Sequence, residues 1–233
     1  MIIEHFYDTQ EQMFSALKKT CEQQLATALQ QHARATFLVS GGSTPKPLYK
    51  ALSQSDVAWD NIDVALVDER WVDAGHSASN EGFIRQSLLQ NNAKLASFTG
   101  MKNSQPSALL GITQCVEDYQ QLAKPLSLCI LGMGADGHTA SWFPYATGLS
   151  EALTTPQCCA AIQASATDVT GAFTERMTIS LAEVKKCQHV ILLFTGDAKR
   201  KVYDKALEQS DFSAFPVAAL LDGSIPINVY WAP

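Results

Sequence analysis

Four segments of the chain combine glycines, hydroxyls and charged side chains, the residue types that bind anions and transfer protons. They are Ser40–Pro45, Asp68–Trp71, Gly132–Ser141 and Gly196–Lys199, and each follows a short apolar run. In an open α/β sheet, ligands bind beyond the carboxyl ends of the strands. We therefore expect the four segments to lie together at one edge of a sheet.

The first segment reads Ser-Gly-Gly-Ser-Thr-Pro. Gly41 and Gly42 permit close approach and positive φ angles, and the hydroxyls of Ser43 and Thr44 can donate hydrogen bonds. The helix that follows would present free N–H groups to an anion. Two interpretations are open: a phosphate cradle, or a tight strand-to-helix turn with a Ser/Thr cap. A Walker loop is excluded because Gly-Lys-Ser/Thr is absent.

The third segment contains Gly-x-Gly-x-x-Gly after an apolar run, which is formally a dinucleotide fingerprint. We reject that function because Asp136 would place a carboxylate against the pyrophosphate, and because Pro144 limits any helix that starts near His138. A histidine two residues after an aspartate and flanked by glycines is a candidate general base. The alternative is a purely structural histidine.

Charged residues stand out in the other two segments. Asp68, Glu69 and Arg70 form either a solvated charge cluster or part of a site. If Asp197 caps a helix, Lys199 lies in its first turn, where the helix dipole disfavours a cation by about 0.3–1 kcal/mol. A bound phosphate would compensate that charge; alternatively, Lys199 extends into water or pairs with Asp197.

The elements that position these segments follow from periodicity. Short apolar runs predict strands at 2–7, 36–39, 62–67, 126–131, 159–162, 177–179, 189–194 and 227–231. Helical spacing predicts helices through Phe14–Leu29, after Pro45 and Asn80, through Leu109–Leu122, from a capping box at Ser180 and Glu183, and over Asp197–Gln209. This alternation predicts an α/β fold: one domain over residues 1–233, with a mostly parallel, Rossmann-like sheet flanked by helices on both faces.

Composition limits the partners. The chain has 233 residues, of which 46% are hydrophobic and 17% charged, and its net charge is -6. An acidic chain is unsuited to nucleic acid or an anionic membrane, and no apolar run reaches the ~18 residues of a membrane span. The N-terminus lacks the basic start of a signal peptide, and the six cysteines show no Cys-x-x-Cys spacing, so we expect a cytoplasmic protein with reduced thiols.

Taken together in order, these segments closely resemble the 6-phosphogluconolactonase family, most specifically over Gly132–Pro144. The family is grouped with glucosamine-6-phosphate deaminases, which usually carry a glutamate five residues after the histidine and an aromatic residue in place of Arg70. This chain has Phe143 at the first of those positions, and both differences favour the lactonase. A non-catalytic sugar-phosphate sensor would have no need of Asp136 and His138.

The resemblance implies hydrolysis of 6-phospho-D-glucono-1,5-lactone in the oxidative pentose phosphate pathway, with a small sugar phosphate as partner and neither metal nor organic cofactor. It implies that His138 acts as the base and that Asp136 orients it or raises its basicity. Gly41, Gly42, Ser43, Thr44 and Lys199 would hold the 6-phosphate, and Arg70 would bind either that phosphate or the reacting carbonyl. Arg176 matches a family arginine and would converge with Arg70 and Lys199 at one edge of the sheet, although the prolines usual before it are missing. Asn80 would position the loop, contact a sugar hydroxyl or cap a helix.

Overall fold

The computed structural model describes all residues, Met1–Pro233. Its strands are β1 (Ile2–Phe6), β2 (Ala35–Val39), β3 (Ile62–Leu66), β4 (Asp68–Arg70), β5 (Ser97–Thr99), β6 (Leu126–Gly132), β7 (Cys159–Gln163), β8 (Glu175–Ile179), β9 (His189–Thr195) and β10 (Ile227–Ala232). Its α-helices are α1 (Gln10–Gln31), α2 (Lys46–Leu52), α3 (Asn80–Ser87), α4 (Ala108–Gln120), α5 (Leu149–Thr154), α6 (Leu181–Val184) and α7 (Asp197–Ala206).

Seven strands form one parallel sheet in the order β1-β10-β9-β6-β2-β3-β5. The chain passes from β2 to β3 and β5 in one direction, and then from β6 to β9 and β10 in the other. The gap between the carboxyl ends of β2 and β6 is therefore a topological switch point, where α/β sheets bind ligands. The predicted α/β class and parallel sheet are confirmed.

A second, antiparallel sheet has the order β4-β8-β7 and was not predicted. Asp68–Arg70, expected as a loop after β3, is itself a strand of this sheet. The apolar runs at 159–162 and 177–179 also belong to it rather than to the parallel sheet. Its register places Arg70 directly opposite Arg176, so two cations face each other across neighbouring strands.

The helices follow the predicted apolar stripes with few exceptions. On α1 the buried residues are Met13, Leu17, Cys21, Leu25 and Ala28, spaced at three or four positions as one face of a helix requires. On α4 the prediction was wrong at Leu109, which is 71% exposed. The buried apolar residues of the whole chain form one cluster of 64.

The helix ends differ from two predictions. Ser180 caps α6 by accepting from the N–H of Glu183, but the Glu183 carboxylate binds Lys124 and Lys186 instead of completing the capping box. Gly196, not Asp197, is the N-cap of α7. Lys199 still lies in the first turn of α7, as expected.

All six cysteines carry free thiols, and five of them are buried. Cys115 Sγ lies 3.5 Å from Cys159 Sγ where α4 packs on β7. None of the helices has the length and apolar character needed to cross a membrane.

Candidate active site

A cleft of about 320 Å³ lies at the switch point between β2 and β6. Its walls are formed by Ser40, Gly41, Gly42, Ser43, Thr44, Pro45, Asp68, Arg70, Asn80, Gly132, Met133, Gly134, Ala135, His138, Ala140, Val169, Leu193 and Lys199. All four segments singled out in the sequence therefore contribute to one cavity. Of the ten predicted site residues, Asp136 and Arg176 are absent from its walls.

The loop after β2 presents unused hydrogen-bond donors to the cleft. The N–H groups of Gly41, Gly42, Ser43 and Thr44 have no acceptor within the chain, and the hydroxyls of Ser43 and Thr44 are not hydrogen-bonded. The N–H of Ser40, by contrast, donates to Tyr49 Oη at 3.1 Å. Gly42 has φ +97, a value that favours glycine. Consecutive free N–H groups form a concave anion-binding surface.

His138 and Asp136 form a hydrogen-bonded pair at the end of β6. Their Nδ1 and Oδ1 atoms are 2.5 Å apart, and the same oxygen accepts from the His138 N–H at 3.1 Å. Nε2 of His138 has no partner within the chain. Because an ionised carboxylate accepts from Nδ1–H, this arrangement leaves Nε2 as the basic nitrogen of a neutral ring.

Asp136 is suited to remain ionised in that pair. Burial by itself would raise its pKa, but the hydrogen bond and the charge attraction from His138 outweigh burial, so the net shift of the pKa is downward. Packing also fixes the imidazole, since its ring centroid lies 4.5 Å from that of Phe143. A Cβ on Gly134 would lie 2.0 Å from His138 Nδ1, so glycine is required there for close approach.

A hydrogen-bond network joins three wall residues on the opposite side. Arg70 Nη1 donates to Asn80 Oδ1 at 3.0 Å and to the Ala78 carbonyl at 2.8 Å. Asn80 Nδ2 donates to the Asp68 carbonyl and to Asp68 Oδ1. Ser79, not Asn80, caps α3, so the capping role considered for Asn80 is wrong. Arg70 Nε is buried and has no partner.

Asp68 is a wall residue that the sequence analysis placed in a charged segment without assigning it a role. Its carboxylate accepts from Ser141 Oγ at 2.6 Å as well as from Asn80. The available signal was its position directly after β3 and beside Arg70. The wall residue Val169 was also missed, because its segment between β7 and β8 carries no motif.

Lys199 reaches the cleft from the first turn of α7 and makes neither a hydrogen bond nor an ion pair within the chain. The alternative pairing with Asp197 is therefore wrong. Burial lowers the pKa of Lys199, and the negative charge of Asp136 opposes that shift. A cation that is partly desolvated and unpaired favours an anionic ligand.

Arg176 was expected to converge with Arg70 and Lys199, but it is not a wall of the cleft. Its side chain is 2% exposed, donates to the Thr170 carbonyl at 2.8 Å, and lies over the Phe143 ring at 5.5 Å. Burial lowers the pKa of Arg176 to about 10. Although Arg176 is the direct cross-strand neighbour of Arg70, only Arg70 and Lys199 bring positive charge to the walls.

No group of three or more histidine, cysteine or acidic side chains is arranged to ligate a metal ion. The cleft therefore offers a histidine–aspartate pair, unused amide donors and two cations as its chemical groups. Such a set can move a proton while holding an anion.

The sequence profile of the family described as "Glucosamine-6-phosphate isomerases/6-phosphogluconolactonase" matches residues 8–231. A 6-phosphogluconolactonase of Rhizobium meliloti (strain 1021) is 32% identical over 232 residues, which cover 98% of each chain. Another, of Xylella fastidiosa (strain Temecula1 / ATCC 700964), is 34% identical over 97% of this chain and 94% of its own.

A solved structure shows the same architecture. The 6-phosphogluconolactonase from Shewanella baltica OS155 superposes with a TM-score of 0.94 at 36% identity, covering 100% of this chain and 98% of its own. Since both the profile and these relatives extend over nearly the whole chain, the protein belongs to the glucosamine-6-phosphate isomerase/6-phosphogluconolactonase family.

Proposed function

We propose that this protein hydrolyses 6-phospho-D-glucono-1,5-lactone to 6-phospho-D-gluconate in the oxidative pentose phosphate pathway. The observation that carries the proposal is the presence, in one cleft, of a histidine base oriented by a carboxylate and of a separate set of unused anion-binding donors. The full-length similarity to lactonases supports the same substrate. The whole chain acts as one domain in the cytoplasm and needs no metal or organic cofactor.

The proposed chemistry begins at the lactone carbonyl. His138 Nε2 accepts a proton from a water molecule as its oxygen attacks C1. The tetrahedral intermediate then collapses, the bond between C1 and the ring oxygen breaks, and the imidazolium returns the proton to that oxygen. A lactone is an activated ester, so one base and stabilisation of the oxyanion suffice. Asp136 holds the ring in the tautomer that leaves Nε2 free and stabilises the imidazolium.

The 6-phosphate is held by the N–H groups of the glycine-rich loop, by the hydroxyls of Ser43 and Thr44, and by Lys199. These donors have no partner within the chain, so binding a phosphate satisfies them without breaking an existing hydrogen bond. Arg176, the buried cross-strand neighbour of Arg70, adds a positive charge rather than direct contact.

Arg70 has two possible targets, the phosphate and the developing oxyanion, because its side chain forms part of the cleft wall. Asn80 holds the Arg70 guanidinium in place through Oδ1. If Arg70 contacts the phosphate, Arg70→Ala raises KM with a smaller effect on kcat. If it contacts the oxyanion, the same substitution mainly lowers kcat.

The test couples lactone hydrolysis to oxidation of the 6-phosphogluconate formed, with subtraction of a blank without enzyme because the lactone also hydrolyses spontaneously. We expect acceleration that is lost in His138→Ala. Release of ammonia from glucosamine 6-phosphate would instead identify a deaminase. Tight binding of 6-phosphogluconate without acceleration would identify a sensor.

A further inference from the structure

Glu69 lies behind the cleft wall and is the most deeply buried acidic side chain of the protein, with no exposed surface. Its Oε1 accepts from the N–H groups of Arg70 and Asn80, both at 2.7 Å. Its Oε2 accepts from the N–H of Glu81 at 2.8 Å and from Ser79 Oγ at 2.9 Å. Each oxygen thus accepts two hydrogen bonds, although burial still raises the pKa of Glu69.

Three of these bonds connect β4 to the start of α3, and the fourth, from Arg70, lies within β4. Asn80 and Glu81 occupy the first turn of α3, where N–H groups have no partner within the helix. A carboxylate supplied by β4 satisfies them and is favoured by the helix dipole. The Glu69 side chain therefore determines where α3 begins relative to β4.

The start of α3 in turn determines the geometry of the cleft wall, because Asn80 is the first residue of α3 and forms hydrogen bonds with two other wall residues. Asn80 accepts from Arg70 and donates to Asp68, which both line the cleft. Gly41 also packs closely on this amide, since a Cβ on Gly41 would lie 2.0 Å from Asn80 Oδ1. A small shift of Asn80 would therefore displace Arg70 and Asp68 and change the contact with Gly41.

We propose that Glu69 is a positioning residue for the reaction: its carboxylate fixes Asn80 and thereby the placement of Arg70 and Asp68 in the cleft. The inference rests on the proposed lactonase function. In a purely structural role, by contrast, Glu69 would stabilise α3 without affecting the binding or turnover of the substrate.

Glu69→Gln tests the proposal most directly because it preserves the size of the side chain and replaces one accepting carboxylate oxygen with an NH₂ group. The glutamine NH₂ group cannot accept hydrogen bonds, so two of the four donors lose their partner whichever way the amide is oriented. A displacement of about 1 Å from the productive geometry can cost about 100-fold in rate. We expect kcat/KM to fall about 10- to 100-fold, with a rise in KM and in the inhibition constant of 6-phosphogluconate.

A double-mutant cycle with Asn80→Ala tests whether Glu69 affects the reaction through Asn80. If Glu69 acts through Asn80, the double variant retains kcat/KM within about twofold of Asn80→Ala alone. If the reductions in kcat/KM of the two single variants multiply in the double variant, the inference is overturned. So would Asn80→Ala at wild-type kcat/KM, or Glu69→Gln with wild-type KM and only a lower Tm.

Ser107→Ala is the matched stability control, because Ser107 caps α4 by accepting from Leu110 N–H and does not line the cleft. We expect it to lower Tm and leave KM unchanged. If Glu69→Gln does not fold, Ser79→Ala removes one donor to Glu69 together with the N-cap of α3. It should raise KM about two- to fivefold, unlike the loss of a cap alone in Ser107→Ala, and an unchanged KM overturns the inference. A wild-type chain without lactonase activity would overturn the proposed function itself, whereas an active wild type with an unaffected Glu69→Gln variant overturns only the role of Glu69.

Discussion

Replacing Gly134 by alanine should disable the His138–Asp136 pair without altering either side chain. The added Cβ would lie 2.0 Å from His138 Nδ1, 2.1 Å from Cε1 and 2.6 Å from Asp136 Oδ1. These atoms belong to a planar ring and to a short carboxylate, which cannot fold away as the end of a long flexible chain can. The ring and the carboxylate must therefore move, or the loop backbone must.

The size of the effect follows from those distances. Ordinary van der Waals contact begins near 3.4 Å, so the imidazole must move by about 1.4 Å. The 2.5 Å hydrogen bond to Asp136 does not survive such a shift in its present geometry. A misplacement of that order costs about 100-fold in rate, which corresponds to about 2.7 kcal/mol of transition-state stabilisation.

The assay is the coupled, blank-subtracted measurement of 6-phosphogluconate formation by Gly134→Ala. We expect kcat to fall about 100-fold and KM to change by less than about threefold, since the phosphate-binding donors lie on another loop. Gly75→Ala is the matched control, because a Cβ there meets nothing within 4 Å and Gly75 does not line the cleft. In a His138→Ala background the Gly134 substitution should cost little more. A kcat within threefold of wild type would refute the assigned role of the pair.

The remaining predictions concern the same groups. His138→Ala should lower kcat by about 10²–10⁴ with little change in KM, and wild-type turnover would exclude His138 as the base. Lys199→Ala should raise KM about 10-fold or more, as expected on losing a charged hydrogen bond; an unchanged KM would exclude a contact with the substrate. Because burial lowers the pKa of Lys199, it loses its charge at a lower pH than an ordinary lysine, so the affinity for 6-phosphogluconate should fall at alkaline pH in the wild type and less steeply in Lys199→Ala. The folded-state pKa of Asp136 is lowered, so its ionisation stabilises the fold above its ordinary pKa, and this contribution is lost as the pH falls through the lowered value. Thermal unfolding of Asp136→Asn should accordingly show a shallower loss of Tm in acid than that of the wild type.

Features that depend on near neighbours in sequence were predictable. Asp136 and His138 are two residues apart, so their pairing needs only the turn that the glycines permit. The loops after β2 and β6 follow strands with clear apolar runs, and parallel strands bring such loops to one edge. Lys199 could be assigned to the cleft because its position in a first helical turn is unfavourable without an anion.

The individual side-chain contacts made through the second sheet were not predictable. β4 has three residues, too few for a periodic pattern, and its partner β8 lies about a hundred residues further along the chain. The expected convergence of three cations failed although Arg176 lies beside Arg70 in the second sheet, because the Arg176 side chain is buried against Thr170 and Phe143 and does not line the cleft. Glu69 carried no separate sequence signal, because its importance depends on the donors of α3 that fold against it.

By itself, the sequence determined the class of fold and which loops carry the chemistry, because strand and helix periodicity and glycine-rich turns are local properties of the chain. Tertiary structure alone decided which of the candidate residues face the cleft and which support them from behind. Asp68 became a wall residue, Arg176 a buried neighbour, and Glu69 the acceptor that joins β4 to α3. The physical reason is that a side chain's role depends on the partners that satisfy its charge and hydrogen bonds, and those partners come from segments distant in sequence.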